Sequence, residues 1–243
     1  MSLLAFQNRR WPATGGGSGV TPVGSGVTIF SSGSGSNYTT GADGGANYSV
    51  GSGANRVLLI VVHGYTDTTG GAKGAASVTH NGQAASAYAE LPSLSRTWVQ
   101  LWLIANPTTG AGGTTVATNS LQRALRVEVL EVNNVNQTTP ANAINSSFGA
   151  GSANTRTLSL TTTAGGALLV FMVSVQAGAG TFSVSDGGTL TASGGGQTGT
   201  GGFTDVSGAV AYEAVPTAGA QTMTLSWVNA NDAVGLMVEV QVA

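Results

Sequence analysis

The chain has no cysteine in its 243 residues, which excludes disulfide staples, thiolate chemistry and cysteine metal sites. Charge is nearly as scarce, at 7% of residues against about 25% in an ordinary soluble domain. A chain with so little charge must bury its apolar strands to keep them from other copies of itself. The net charge of −2 provides no basic field, so no nucleic-acid partner is expected. The longest apolar run, Val57 to Val62, falls far short of the ~20 residues that cross a bilayer, and no membrane partner is expected. The two histidines and ten acidic residues form no His-x-x-x-His or Glu-x-x-His pair, so neither a transition metal nor a cofactor is expected. No stretch carries a sustained helical stripe.

What is present is glycine, 38 residues of it, with Thr, Ser, Ala, Val and Asn. The apolar stretches have strand periodicity. Arg56 to Val62 is continuous enough to be a strand buried on both faces, and Thr97 to Ile104 has one polar break, Gln100. Leu125, Val127 and Val129 alternate with Arg126 and Glu128, as Val238, Val240 and Val242 do with Glu239 and Gln241. Asn81-Gly82 and Asp186-Gly187-Gly188 are hairpin turns, since both central positions need positive φ. Pro107 and Pro216, each followed by Thr-x-Gly, end strands where no further amide donor is needed. Many short strands between such turns predict an all-β chain, an antiparallel sandwich of jelly-roll type.

The same landmarks occur twice. Leu58-Leu59 matches Leu168-Leu169, Ser77-Val78 matches Ser183-Val184, Pro107 matches Pro216, and Val127-Glu128-Val129 matches Val238-Glu239-Val240. The offsets are 110, 106, 109 and 111, so the fold is read as two pseudo-repeated halves, about 55–135 and 165–243, within one domain over 55–243. Residues 1–54 differ. The first 55 residues hold 13 glycines and only three charges, Arg9, Arg10 and Asp43. Such a segment loses much backbone entropy on ordering and buries little. It is read either as a flexible leader or, preferably, as an arm that orders along a partner. Trp11 and the short strand candidate Val27-Thr28-Ile29-Phe30 are its apolar anchors, which makes Trp11, Val27, Ile29 and Phe30 the candidate partner-binding residues. A chain cut back to Gly51 is expected to stay folded.

Four segments together carry a resemblance: Asn55 to Val62, Val78 to Gln83, Leu101 to Gly110 and Val135 to Pro140. They resemble a jelly-roll-like β-sandwich module of tailed-phage structural proteins and bacterial extracellular multidomain proteins. The likeness spans roughly 55–243 and leaves the arm unexplained. It implies one domain in which strands of both halves share the sheets, and a role in binding or assembly. The motifs specify fold far better than function.

Several residues have the look of chemistry. A buried strand ending in His63-Gly64 is similar to the oxyanion loop of α/β-hydrolases, but that reading needs a Gly-x-Ser-x-Gly elbow and a helix, and neither is found. His63 is therefore read as a strand-end histidine beside a glycine turn, and His80 as a hairpin residue. Asp43 with Asn47, or Asn229 with Asn231 and Asp232, offers a few oxygen ligands for calcium, though turn chemistry explains them better. Lys73, the sole lysine, lies in a glycine-rich loop and is not expected to form an isopeptide cross-link. Arg9 and Arg10 beside Trp11 make too small a grip for nucleic acid. Trp98, Trp102 and Trp227 sit in apolar strand patterns and are expected in the core, with Gln100 and Asn229 as the polar residues nearest to them for a sugar site.

The expectation is a non-enzymatic virion protein of a tailed phage, most concretely a capsid decoration or cement protein. It would assemble in the host cytoplasm, because Met1 to Pro12 does not read as a signal peptide. Its expected partners are the major capsid protein and copies of itself, in a homo-oligomer. The alternative is a tail-tip or fibre receptor-binding domain, or a carbohydrate-binding sandwich.

Overall fold

An unbroken apolar strand needs apolar neighbours on both faces, and the structure supplies them by stacking sheets. The computed structural model describes residues 19–32, 38–42, 48–66, 74–91, 96–191, 194–198 and 201–243. Among these residues every regular element is a strand, so the chain is an all-β sandwich. The first half contributes β1 (Thr21–Ser32), β2 (Tyr38–Ala42), β3 (Tyr48–Val50), β4 (Val57–Tyr65), β5 (Ala75–His80), β6 (Gln83–Ala84), β7 (Ser86–Leu91), β8 (Thr97–Ala105), β9 (Gly110–Gly112), β10 (Thr114–Gln122) and β11 (Ala124–Asn133). The second contributes β12 (Ala141–Thr162), β13 (Ala167–Gln176), β14 (Phe182–Val184), β15 (Thr189–Leu190), β16 (Gly196–Gln197), β17 (Val206–Val215) and β18 (Gly219–Val240).

The duplication is written in the strand order. The first half has an inner sheet β1-β11-β4-β8-β7 and an outer sheet β2-β10-β5-β6; the second has the path β12-β18-β13-β17-β15, with β14 joined to β18. The two paths correspond strand for strand. A two-strand ribbon bends from inner to outer sheet in each half. In the second half it is continuous: β12 runs beside β18 from Ala141↔Val240 to Gly149↔Ala233, then from Thr155↔Ser226 to Thr162↔Gly219. In the first half the same ribbon is cut into β1 with β2 and β11 with β10. Among the described residues no sheet mixes strands of the two halves. Sharing of sheets, which the resemblance implied, is therefore not found among the described residues: a long two-strand ribbon lies within each half.

Register corrects the repeat. Val57 pairs with Ala105, and Leu168 with Ala214, two residues before Pro107 and Pro216 respectively. The proline offset of 109 thus holds, while Val57 corresponds to Leu168, a shift of 111 and not 110. Since period 2 sends alternate residues to opposite faces, that single residue decides which side chains are equivalent. Val57 also pairs with Val132, and Leu168 with Val240, so the equivalent of Glu239 is Glu131 and not Glu128.

Three apolar layers result. Leu58, Ile60 and Val62 face the first outer sheet with Val78, Val116, Trp98 and Trp102. Phe171, Val173 and Val175 face the second outer layer with Phe182, Leu225 and Trp227. Between the halves, Val57, Leu59 and Val61 of β4 meet Leu168, Val170 and Met172 of β13, flanked by Leu101, Leu103, Val210, Leu236 and Val238. All nine residues of β4 are buried for this reason. The strand also runs past His63: Gly64 is not in a turn but lies under the Trp98 indole, which occupies the space a Cβ would fill. The Asn81-Gly82 and Asp186-Gly187 turns have the positive φ that the sequence requires, 48° and 75°, then 63° and 87°, but only the first closes a hairpin, since β14 pairs with β18 and β15 with β17.

Residues assigned to the arm enter these sheets. β1 pairs with β11, β2 with β10, and β3 with β9. Cutting the chain at Gly51 would therefore uncover the edges of β10 and β11, contrary to the expectation that such a chain stays folded.

Burying each large apolar side chain in the seam is worth about 1.5–3 kcal/mol. Residues 141–243 expressed alone, with this face bare, should aggregate or lack a cooperative unfolding transition by calorimetry. A soluble, cooperative monomer would contradict the stacked arrangement. Gly64→Ala places a Cβ 2.1 Å from a Trp98 ring carbon. It should cost ~3 kcal/mol, read from denaturant midpoints.

Candidate functional site

Polar groups inside the seam form a cluster that joins both halves. His63 on β4 and Ser174 on β13 are equivalent positions under the shift of 111, and they touch: His63 Nδ1 and Ser174 Oγ are 2.7 Å apart. Equivalent residues meeting in this way are characteristic of a self-complementary interface. Across the β4–β11 pair, Arg126 lies opposite His63. Arg126 Nε donates to Glu128 Oε1 at 3.0 Å, and Thr191 Oγ1 donates to Glu128 Oε2 at 3.1 Å, so a second bond crosses between halves. Gly208 makes room for the imidazole, since a Cβ there would stand 2.6 Å from the ring. Gly196 does the same for the guanidinium, at 3.0 Å.

Ser174, His63 and Glu128 have the residue types of a hydrolytic relay, but not its geometry. Glu128 Oε1 stands 3.8 Å from His63 Nε2, beyond a hydrogen bond, and its charge is matched by Arg126. His63 and Ser174 have no exposed surface, and a nucleophile needs access to its substrate. Burial pushes the His63 pKa well below the ordinary histidine value, and the Arg126 charge lowers it further. The imidazole is therefore neutral, and its approach to Glu128 is not an ion pair. The cluster's work is cohesion.

A second pair of carboxylates repeats across the halves. Glu131 Oε2 accepts from Gly51 N at 3.0 Å and from Tyr48 Oη at 3.3 Å, holding the loop that leads into β4. Glu239 Oε1 accepts from Thr163 N at 2.9 Å and Ala164 N at 3.2 Å, holding the loop that leads into β13. The Tyr48 hydroxyl is pushed up to about 12, mainly by burial and then by the charge of Glu131. These acids pin backbone, in the same place in each repeat.

The residues singled out in the sequence do not converge. Trp11 lies outside the described residues, as do Asp43, Asn47, Lys73, Arg9 and Arg10. Val27 and Phe30 have backbone placed on β1 opposite Val129 and Val127 of the same chain, with Ile29 between them at a register shift. Trp98, Trp102 and Trp227 are buried, as the pattern predicts. Gln100 is inside the first half, accepting from Ala75 N and Trp102 Nε1, while Asn229 donates to Gly178 O in the second, so they share no sugar-binding face. Among the described residues no group of three or more His, Cys, Asp or Glu is placed to hold a metal.

One surface feature had no signal in the sequence. Phe203 is 79% exposed, on a loop braced on both sides of it. Gly201 N and Gly202 N both donate to Asp205 Oδ2, at 2.8 and 2.9 Å, and Gln176 Nε2 donates to Phe203 O at 3.0 Å. No known family, curated protein or solved structure matches the chain.

The neutral His63 has a measurable consequence. Below about 6.5 the unfolded chain gains a proton at this residue that the folded chain does not, so stability is fully present above that pH and falls as the pH drops. The expected slope is ~1.4 kcal/mol per pH unit, continuing until the folded-state value is reached. Urea titrations from pH 7.5 to 5.5 should show it, and His63→Gln should flatten it while lowering stability overall. An unchanged slope in the variant would assign the titration elsewhere.

Proposed function

We propose that this protein is a non-enzymatic structural component of a tailed-phage virion, a head decoration or cement protein that binds major capsid protein and copies of itself. The observation that carries the reading is that, of its few charges, five are taken inside, while Arg56, Arg96, Arg123, Arg156, Asp186, Glu213 and Asp232 keep some exposure. Arg126, Glu128, Glu131, Asp205 and Glu239 are buried and engaged in holding strands and loops. The outer sheet faces are left to short hydroxyl and methyl side chains such as Thr115, Ser77, Thr157 and Ser159. Weakly charged, flat outer faces suit packing against many neighbours. The four-segment resemblance to phage structural modules points the same way, and assembly as a homo-oligomer within the virion follows from it.

Trp11, which lies outside the described residues, is the anchor this reading assigns to a neighbouring subunit. Burying one large side chain gives about 1.5–3 kcal/mol before ordering entropy is subtracted, an amount that grows when several copies bind together. A chain beginning at Gly19 should unfold like the full chain but bind capsids more weakly in co-sedimentation, and Trp11→Ala should do the same. Undiminished binding by both would remove the arm from the interface.

The braced, exposed Phe203 favours a second reading, a receptor- or carbohydrate-binding tip. Binding to a glycan array that Phe203→Ala abolishes, with no capsid binding, would establish it. A broad hydrolase and glycosidase screen is expected to be blank. Turnover that disappears in His63→Ala would overturn the non-enzymatic reading.

A further inference from the structure

We propose that the outer edge of β12, over residues 153–162, is a self-association surface whose occupant is the same edge of a second copy of this chain. The proposal rests on the assembly reading above and names the surface through which copies meet.

An edge strand presents a row of backbone donors and acceptors that another strand can complete, and proteins blunt such edges with lysine, proline, charge or brevity. This edge has almost none of those devices. β12 is 22 residues long and, among the described residues, pairs only with β18. The corresponding edge of the first outer sheet, β2, is five residues long. Residues 153–162 contain no proline, lysine or acid. Their one charge, Arg156, is folded back: it donates to Thr155 O at 2.9 Å and Ala233 O at 3.3 Å, with its guanidinium 6.0 Å from the Trp227 ring.

The side chains say what kind of strand fits. A hydroxyl ladder crosses from β12 to β18: Thr155 with Ser226 at 3.3 Å, Thr157 with Thr224 at 2.9 Å, Ser159 with Thr222 at 2.8 Å. Each hydroxyl offers one donor and two acceptors, so these contacts leave capacity on every rung. The ladder stops at β12 because the sheet does. A partner strand that continued it would carry small hydroxyl side chains at alternate positions and no charge, which is what β12 itself carries. Two copies meeting antiparallel form a two-fold, self-complementary contact in which the row of one faces the row of the other.

The test uses the full chain in sedimentation velocity over a wide concentration range. The wild type should self-associate. Thr157→Lys with Ser159→Lys sets like charges opposite each other and should be monomeric, still folded with one cooperative thermal transition although two exposed rungs of the ladder to β18 are lost. Thr157→Glu with Ser159→Glu should also be monomeric, and mixing the two variants at low salt should restore the complex. Thr115→Lys, on the outer face of the first half, should leave self-association intact. A monomeric wild type, persistence of the complex in the lysine variant, or failure of the mixture to recombine would each overturn the proposal. Capsid co-sedimentation is scored separately. Self-association without capsid binding leaves this edge standing and removes the decoration reading, and a monomer that binds capsids does the reverse.

Discussion

Everything in this fold depends on the central strands of two inner sheets having no wet face. An antiparallel sheet ordinarily packs one side and solvates the other, yet β4 and β13 are buried on both. Neither half can satisfy that alone, because its outer sheet covers only one side. The stack explains why nine consecutive positions of β4 reject exposure. It also explains why Arg126 and Glu128, on what reads as the polar side of an alternating strand, end up inside.

Burying polar residues in the seam is costly unless each finds a partner, and the partners come from the opposite half. Ser174 meets His63 Nδ1, while Nε2 has no hydrogen-bond partner among the described residues, and Thr191 takes up the second oxygen of Glu128. An apolar seam tolerates sliding, because its contacts have no direction. Directional bonds at one spot fix how the halves sit. The glycines opposite, Gly208 and Gly196, belong to the same solution: they leave room for an imidazole and a guanidinium where any larger residue would collide.

The strand class, the duplication, the Asn81-Gly82 hairpin and the strand-ending prolines were legible from residue types alone, since each reflects a local backbone requirement, whereas Asp186-Gly187 joins strands that pair with β18 and β17 and not with each other. Register was not. Leu58-Leu59 and Leu168-Leu169 look aligned, but adjacent leucines in a doubly buried strand give no cue to face, and the true shift is one residue longer. Val127-Glu128-Val129 was matched to the wrong glutamate for a similar reason, because the equivalence lies in what Glu131 and Glu239 hold. The His63–Ser174 contact had a faint signal: one polar residue in each of two otherwise apolar strands, at equivalent places in the repeat. Phe203 had none, because exposure of a loop aromatic depends on the bracing around it and not on its neighbours in sequence.

The stack also gives the molecule a direction. Val20 N donates to Gly166 O, and Val242 packs beside the same Gly166, so the first and last described residues emerge together at one pole. β17 starts beside the Phe203 loop and ends at Val215, whose carbonyl accepts from Gly166 N. Its ten residues span roughly 33 Å at the usual rise per residue. The protein therefore has a base and a tip. Anything that grips the chain beside Gly19 or Val242 holds it by the base, and the exposed aromatic then lies at the opposite pole.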